Sequence, residues 1–142
     1  SCNRKKIYWW SRRTTNSLNI LFNLILVATG GALGAVLRYL LTNISKTLFE
    51  SSIYGTISVN IIGSFLIGYF IGSDFGNNLS ENFIKFFLII GLLGSFTTFS
   101  AFSYEVFDLI NSKKYASSLI YIFSSIFICI ISSYLGTLLN KF

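Results

Sequence analysis

The sequence predicts an all-α membrane protein of four transmembrane helices with a break in the third, and three observations carry that prediction. Hydrophobic residues make up 53% of the 142-residue chain and charged ones only 11%, against about 25% charged in soluble domains. The mean hydropathy of +0.67 leaves too little polar surface to coat a globule in water. Four apolar runs, Leu18 to Leu41, Gly55 to Gly72, Phe83 to Phe107 and Tyr115 to Leu139, are long enough to cross a hydrocarbon core of about 30 Å as helices. They lack the alternation of barrel strands.

The first run carries Gly30, Gly31 and Gly34, and the second carries Gly63, Gly68 and Gly72. Small residues at such spacings let helix backbones approach closely in lipid, so these stripes are expected to be packing faces. Arg38, in GGALGAVLRYLL, is the only Arg within a span. It either snorkels to the interface or places positive potential at the mouth of an anion pathway. Asn60, in GTISVNIIGSFLIGYF, brings an amide to membrane depth. That amide must bond across helices or offer its N–H to a passing anion.

The third run contains GLLGSFTTFSAFSYE. Gly91 and Gly94 weaken a helix, and Thr97 and Thr98 add β-branching and competing hydroxyls. A break near Gly94–Thr97 is expected, freeing carbonyls that lipid cannot satisfy and that suit a cation such as Na⁺. Ser95, Phe99 and Phe102 then recur at i, i+4 and i+7, either as packing residues or with their electropositive ring edges toward an anion. In the fourth run Tyr121, Ser125 and Cys129 share one helical face. Such a row of donors can replace the hydration shell of a small anion, or bond its own backbone.

The connectors TNISKTLFESSIY, SDFGNNLSEN and DLINSKKYA are too short to fold as domains. The chain therefore divides into a basic, aromatic arm at 1–17, expected to be flexible, and a four-helix transmembrane domain at 18–142. The arm holds Arg4, Lys5, Lys6, Arg12 and Arg13 beside Tyr8, Trp9 and Trp10, a combination suited to anionic lipid headgroups. It accounts for most of the excess of 11 Lys and Arg over 5 Asp and Glu, so the basicity does not mark a nucleic-acid surface. Without the arm the charges flanking the spans are nearly balanced and favour insertion in both orientations; with it, both termini fall in the cytoplasm. The chain has no His and two distant Cys, which excludes His-based triads, His-containing zinc sites and a disulfide framework. Its first residue is Ser, which is not read as a translation start.

Taken in order, GGALGAVLRYLL, GTISVNIIGSFLIGYF and GLLGSFTTFSAFSYE resemble the signature blocks of the Fluc-type fluoride channels, the CrcB family, over roughly residues 28–139. The resemblance implies a non-enzymatic, passive F⁻ channel of the cell inner membrane that exports fluoride and reduces its toxicity. It implies an antiparallel, dual-topology dimer, with itself or a close paralogue, and a structural Na⁺ at the dimer interface. Matched by motif, Asn60 would line the pore and Phe99 and Phe102 would be its ring pair. Gly94 and Thr97 would offer carbonyls to Na⁺. Arg38 and Glu105 would stand at the vestibules. Tyr121 and Ser125 would belong to a polar track. Ala101 stands where Thr or Ser is common, so Ser100 would serve polar contacts there. Ser95 replaces a common Gly, and Cys129 is a weaker donor than Ser. Two other readings are a small proton-coupled multidrug exporter, whose embedded carboxylate could only be Glu105, and a non-transporting assembly subunit, in which Asn60 and Tyr121 merely pack.

Overall fold

The computed structural model describes residues 17–72 and 79–139. The arm at 1–16, Asp74 and Lys141 lie outside the described residues. The elements are α1 (Ser17–Phe49), α2 (Ile53–Gly72), the short α3 (Leu79–Asn82), a π-helical segment (Phe83–Leu93), α4 (Gly94–Phe96), α5 (Phe99–Asn111) and α6 (Tyr115–Leu139). Four spans result: α1, α2, the broken Phe83–Asn111 and α6. The protein is thus an all-helical, multi-pass membrane bundle among the described residues.

Two boundaries differ from expectation. The stretch TNISKTLF, expected as connector, continues α1 to Phe49. It has no Gly or Pro, and its hydroxyls fold back onto the helix: Thr42 Oγ1 donates to Arg38 O at 2.9 Å and Thr47 Oγ1 to Asn43 O at 3.1 Å. Glu50 then ends the helix in the left-handed region at φ 53°, and Ser45 Oγ tacks the turn by donating to Ser51 O at 2.8 Å. At 1.5 Å per residue α1 is about 50 Å long, so it must tilt or project beyond the bilayer core. Similarly α5 runs to Asn111, and the tight turn to α6 uses Lys113 at φ 59°.

The glycine stripes are packing faces, as expected. A Cβ on Gly30 would strike Phe87 O, and one on Gly34 would strike Leu92 O, so α1 lies directly on the backbone of the third span. Gly68 faces the Ser133 backbone and Gly136 faces Phe65 O, which locks α2 against α6. A Cβ on Gly55 would lie 2.9 Å from Thr42 Cα, so α2 leaves α1 at close range. Gly72, by contrast, is exposed. The first part of the third span packs on α1, whereas α5 packs on α6, with α2 between them. The break thus carries one span from one side of the bundle to the other. Val59, Leu93 and Thr56 are fully buried, while Phe22, Leu33, Phe127 and Ile130 face outward, an arrangement suited to lipid.

Gly68→Val should force α2 and α6 apart, costing about 2 kcal/mol or more as overpacking. Thermal unfolding and size-exclusion profiles in detergent should show a lower Tm and less monodisperse protein.

Candidate functional site

The third span opens at Thr97 (φ −75°, ψ 154°) and Thr98 (φ −147°, ψ 120°), both extended. This is later than expected, because Gly94 stays helical at φ −63° and ψ −33°. The cause is Asn60 on α2. Its Oδ1 accepts from Thr98 N at 2.8 Å, and its Nδ2 donates to Thr98 O at 3.1 Å. One side-chain amide thus pairs with Thr98 as a neighbouring strand would. Of the two roles open to Asn60, the structure supplies the cross-helix bond, and the second N–H of Nδ2 is additional to it.

Thr98 also starts α5, its side chain accepting from Ala101 N at 3.1 Å with Ser100 Oγ at 3.2 Å. In an unbroken helix Thr98 N would pair with Gly94 O, and Ala101 N with Thr97 O. Both amides are diverted, one to Asn60 and one to the Thr98 hydroxyl. On the other side of the break, Thr97 N and Oγ1 both reach Leu93 O, at 3.1 and 3.0 Å. Upstream, Gly94 N reaches back to Ile89 O in the wide turn of the π-helical segment, a conformation the sequence did not announce.

A second cluster surrounds Glu105, which is buried at 7% exposure. Its Oε1 accepts from Ser52 Oγ at 2.6 Å and Thr56 Oγ1 at 2.8 Å, and its Oε2 from Tyr121 OH at 2.6 Å. The two 2.6 Å contacts are short for O–H···O bonds, and together the three offset the cost of burying the polar side chain inside the bundle. Glu105 also borders a recess of about 390 Å³ shared with Lys46, Glu50, Tyr104 and Asp108. It therefore lines an open recess while its oxygens are bonded by hydroxyls of the protein. Ser52 and Thr56 were not singled out from the sequence. Their i, i+4 spacing was the available signal, but the link to Glu105 exists only in the fold.

The two clusters are joined by a row of rings. Phe99 and Phe102 lie 5.6 Å apart, and Phe102 meets Tyr121 edge-on at 5.1 Å. Phe99 is 79% exposed while Phe102 is buried at 8%, so the expected pair spans surface and interior. Ser95, expected on the face of Phe99, is separated from it by the extended pair and lies against Gly31. Ser125 is buried, its hydroxyl without a partner, while Cys129 is half-buried. Ser100 and Gly94 are exposed in the single chain and Thr97 is half-buried. Arg38 is half-buried on α1 and takes no part in the hydrogen bonds around Asn60 or Glu105. Among the described residues no group of three or more His, Cys, Asp or Glu could hold a metal ion.

The chain matches the family model for "CrcB-like protein, Camphor Resistance (CrcB)" over residues 25–137, a stretch that contains both clusters. A fluoride-specific ion channel FluC of Dehalococcoides mccartyi is 39% identical over 123 residues, 83% of this chain and 95% of that protein. One of the same name from Campylobacter jejuni is 39% identical, covering 86% of this chain and 100% of its own length. A fluoride-specific ion channel FluC 2 of Clostridium acetobutylicum is 42% identical over 117 residues, 82% of this chain and 96% of that protein.

Asn60→Ala should leave Thr98 N and O unpaired at membrane depth, at about 1–3 kcal/mol for each group. The expected outcome is a lower Tm together with accelerated hydrogen exchange at the Thr98 amide. Exchange at Val59, on the unbroken α2, should change less.

Proposed function

The chain belongs to the CrcB family, and from that membership and the site it carries we infer that it is a passive, fluoride-selective channel of the plasma membrane that exports F⁻ and limits its toxicity. The observation that carries the reading is the row of Phe99, Phe102 and Tyr121 beside the Asn60-clamped break. Fluoride is small and tightly hydrated, so a path across the membrane must replace the donors of its water shell. Neutral donors of the right kind lie along this row: the second N–H of Asn60, the hydroxyl of Ser100 and the unpartnered hydroxyl of Ser125, while the Tyr121 hydroxyl donates to Glu105. Ring edges of Phe99 and Phe102 add weak positive potential without a fixed charge. Such contacts favour entry yet permit release, which conduction requires. Arg38, nearer an aqueous end, would draw anions inward.

The exporter reading fares worse. Glu105, its one candidate carboxylate, has both oxygens engaged by hydroxyls from α2 and α6. An assembly subunit, in turn, would have no use for a buried hydroxyl held without a partner.

A resident Na⁺ fits the break. Gly94 and Thr97 would hold it through the carbonyls whose helical amides are diverted to Asn60 and Thr98, and the ion would supply a fixed positive charge that ties the half-helices together. In the functional unit a second copy, or a close paralogue, would cover Phe99 and Gly94, which the single chain leaves exposed. Counted without the basic arm, the near-balanced flanking charges suit an inverted partner. The remaining outward apolar surface would meet lipid.

Liposomes carrying the protein should release F⁻ rapidly, with little Cl⁻ release and no proton gradient. Phe99→Ala and Phe102→Ala should each slow F⁻ release at least about tenfold, some 1.4 kcal/mol of barrier. Equal Cl⁻ flux, or strict dependence on a proton gradient, would overturn the reading. Replacing Na⁺ with N-methylglucamine throughout purification should lower both Tm and flux; if neither changes, Na⁺ drops out of the proposal.

A further inference from the structure

Among the described residues, two buried side-chain oxygens have no hydrogen-bond partner, Ser118 Oγ and Ser125 Oγ, and both lie on α6. They stand three residues before and four residues after Tyr121, which puts the three hydroxyls on one helical face. Ser118 is the most deeply buried of the three, at 2% exposure against 5% for Tyr121 and 7% for Ser125. Hydroxyls in membrane helices commonly bond the preceding turn, as Ser103 does to Phe99 O, Ser124 to Tyr121 O and Thr137 to Ser133 O. Ser118 and Ser125 do not. An unpaired buried hydroxyl costs about 1–3 kcal/mol. Two on one face of one helix, flanking a tyrosine bonded to a buried carboxylate, point to a ligand that visits them.

The order along α6 says where Ser118 acts. α6 begins just after the turn that closes α5, so its first residues lie at the same end of the bundle as Asp108, a wall of the recess. At about 1.5 Å per residue, Ser118 stands about 4.5 Å nearer that end than Tyr121, and Ser125 about 6 Å deeper. Ser118 also lies in the first turn of a 25-residue helix, where the positive end of the helix dipole favours an anion. The recess itself carries the side chains of Glu50, Glu105 and Asp108 against the one cation among the described residues there, Lys46, so a neutral donor backed by a dipole gives an anion a foothold between them and Tyr121.

We propose that Ser118 is an anion-binding residue of the ion path, donating its hydroxyl to F⁻ between Tyr121 and the recess. The proposal rests on the channel reading above.

Fluoride efflux from liposomes tests it with wild type, Ser118→Ala, Ser125→Ala and Ser124→Ala, each over a range of fluoride concentrations and each paired with a Tm in detergent. Ser118→Ala should slow efflux by about fivefold and raise the half-saturating fluoride concentration. Its Tm should be unchanged or higher, because the substitution deletes an unpaired polar group. Ser124→Ala should match wild type in flux. Wild-type flux in Ser118→Ala, with flux reduced in Ser125→Ala, would overturn the role of Ser118 and leave the channel reading standing. Fewer active liposomes with an unshifted half-saturation would assign Ser118 to packing and overturn it as well. No fluoride flux from wild type would sink the channel reading itself.

Discussion

A helix opened inside a membrane must hand its broken backbone hydrogen bonds to something other than lipid, and here the recipient is the side-chain amide of Asn60. Its two bonds to Thr98 satisfy one N–H and one C=O at once, and the rest of the site follows from where they hold the chain. With Thr98 fixed in extended geometry, its hydroxyl is free to start α5. The direction of α5 then decides that Phe102 turns inward while Phe99 stays at the surface, and that Glu105 arrives beside α6. Remove the clamp and the two halves of the span have no reason to part company at this residue.

α2, with Ser52 immediately before it, supplies this control along a single face. Ser52, Thr56, Asn60 and Gly63 follow one another at helical spacing. Ser52 and Thr56 donate to Glu105, Asn60 clamps Thr98, and Gly63 leaves room for the methyl of Thr97. A larger residue at Gly63 would push the break away from the amide that satisfies it. The same helix is held to α6 by close backbone contact at Gly68 and Gly136, so the polar stripe and the hydroxyl row of α6 keep a fixed separation. Close packing and polar chemistry are therefore one design: the glycines set the helix spacing at which short side chains can reach.

The site places an acid where a membrane protein can least tolerate one, and the groups that bond it are neutral. Three neutral hydroxyls surround Glu105. Hydroxyls satisfy a carboxylate without fixing a compensating positive charge nearby, and such a charge would hold a passing anion too firmly. The unpaired hydroxyls of Ser118 and Ser125 extend the same logic along α6. They add donors whose strength is modest and whose reach is short, as a path for a small anion needs.

The spans, the glycine faces, the ring pair and the presence of a break were legible in the sequence, because apolar length, small-residue spacing and helix-weakening residues act locally and over a few turns. The same local rules misjudged the end of α1, where hydroxyls bonding their own helix let TNISKTLF continue to Phe49. They left both roles of Asn60 open and gave no sign of the π-helical turns or of the Ser52–Thr56–Glu105–Tyr121 cluster. Only the tertiary structure decided these, since a hydrogen bond at membrane depth is settled by which donor from another helix comes within about 3 Å, and residues 16 to 53 positions apart share no local pattern.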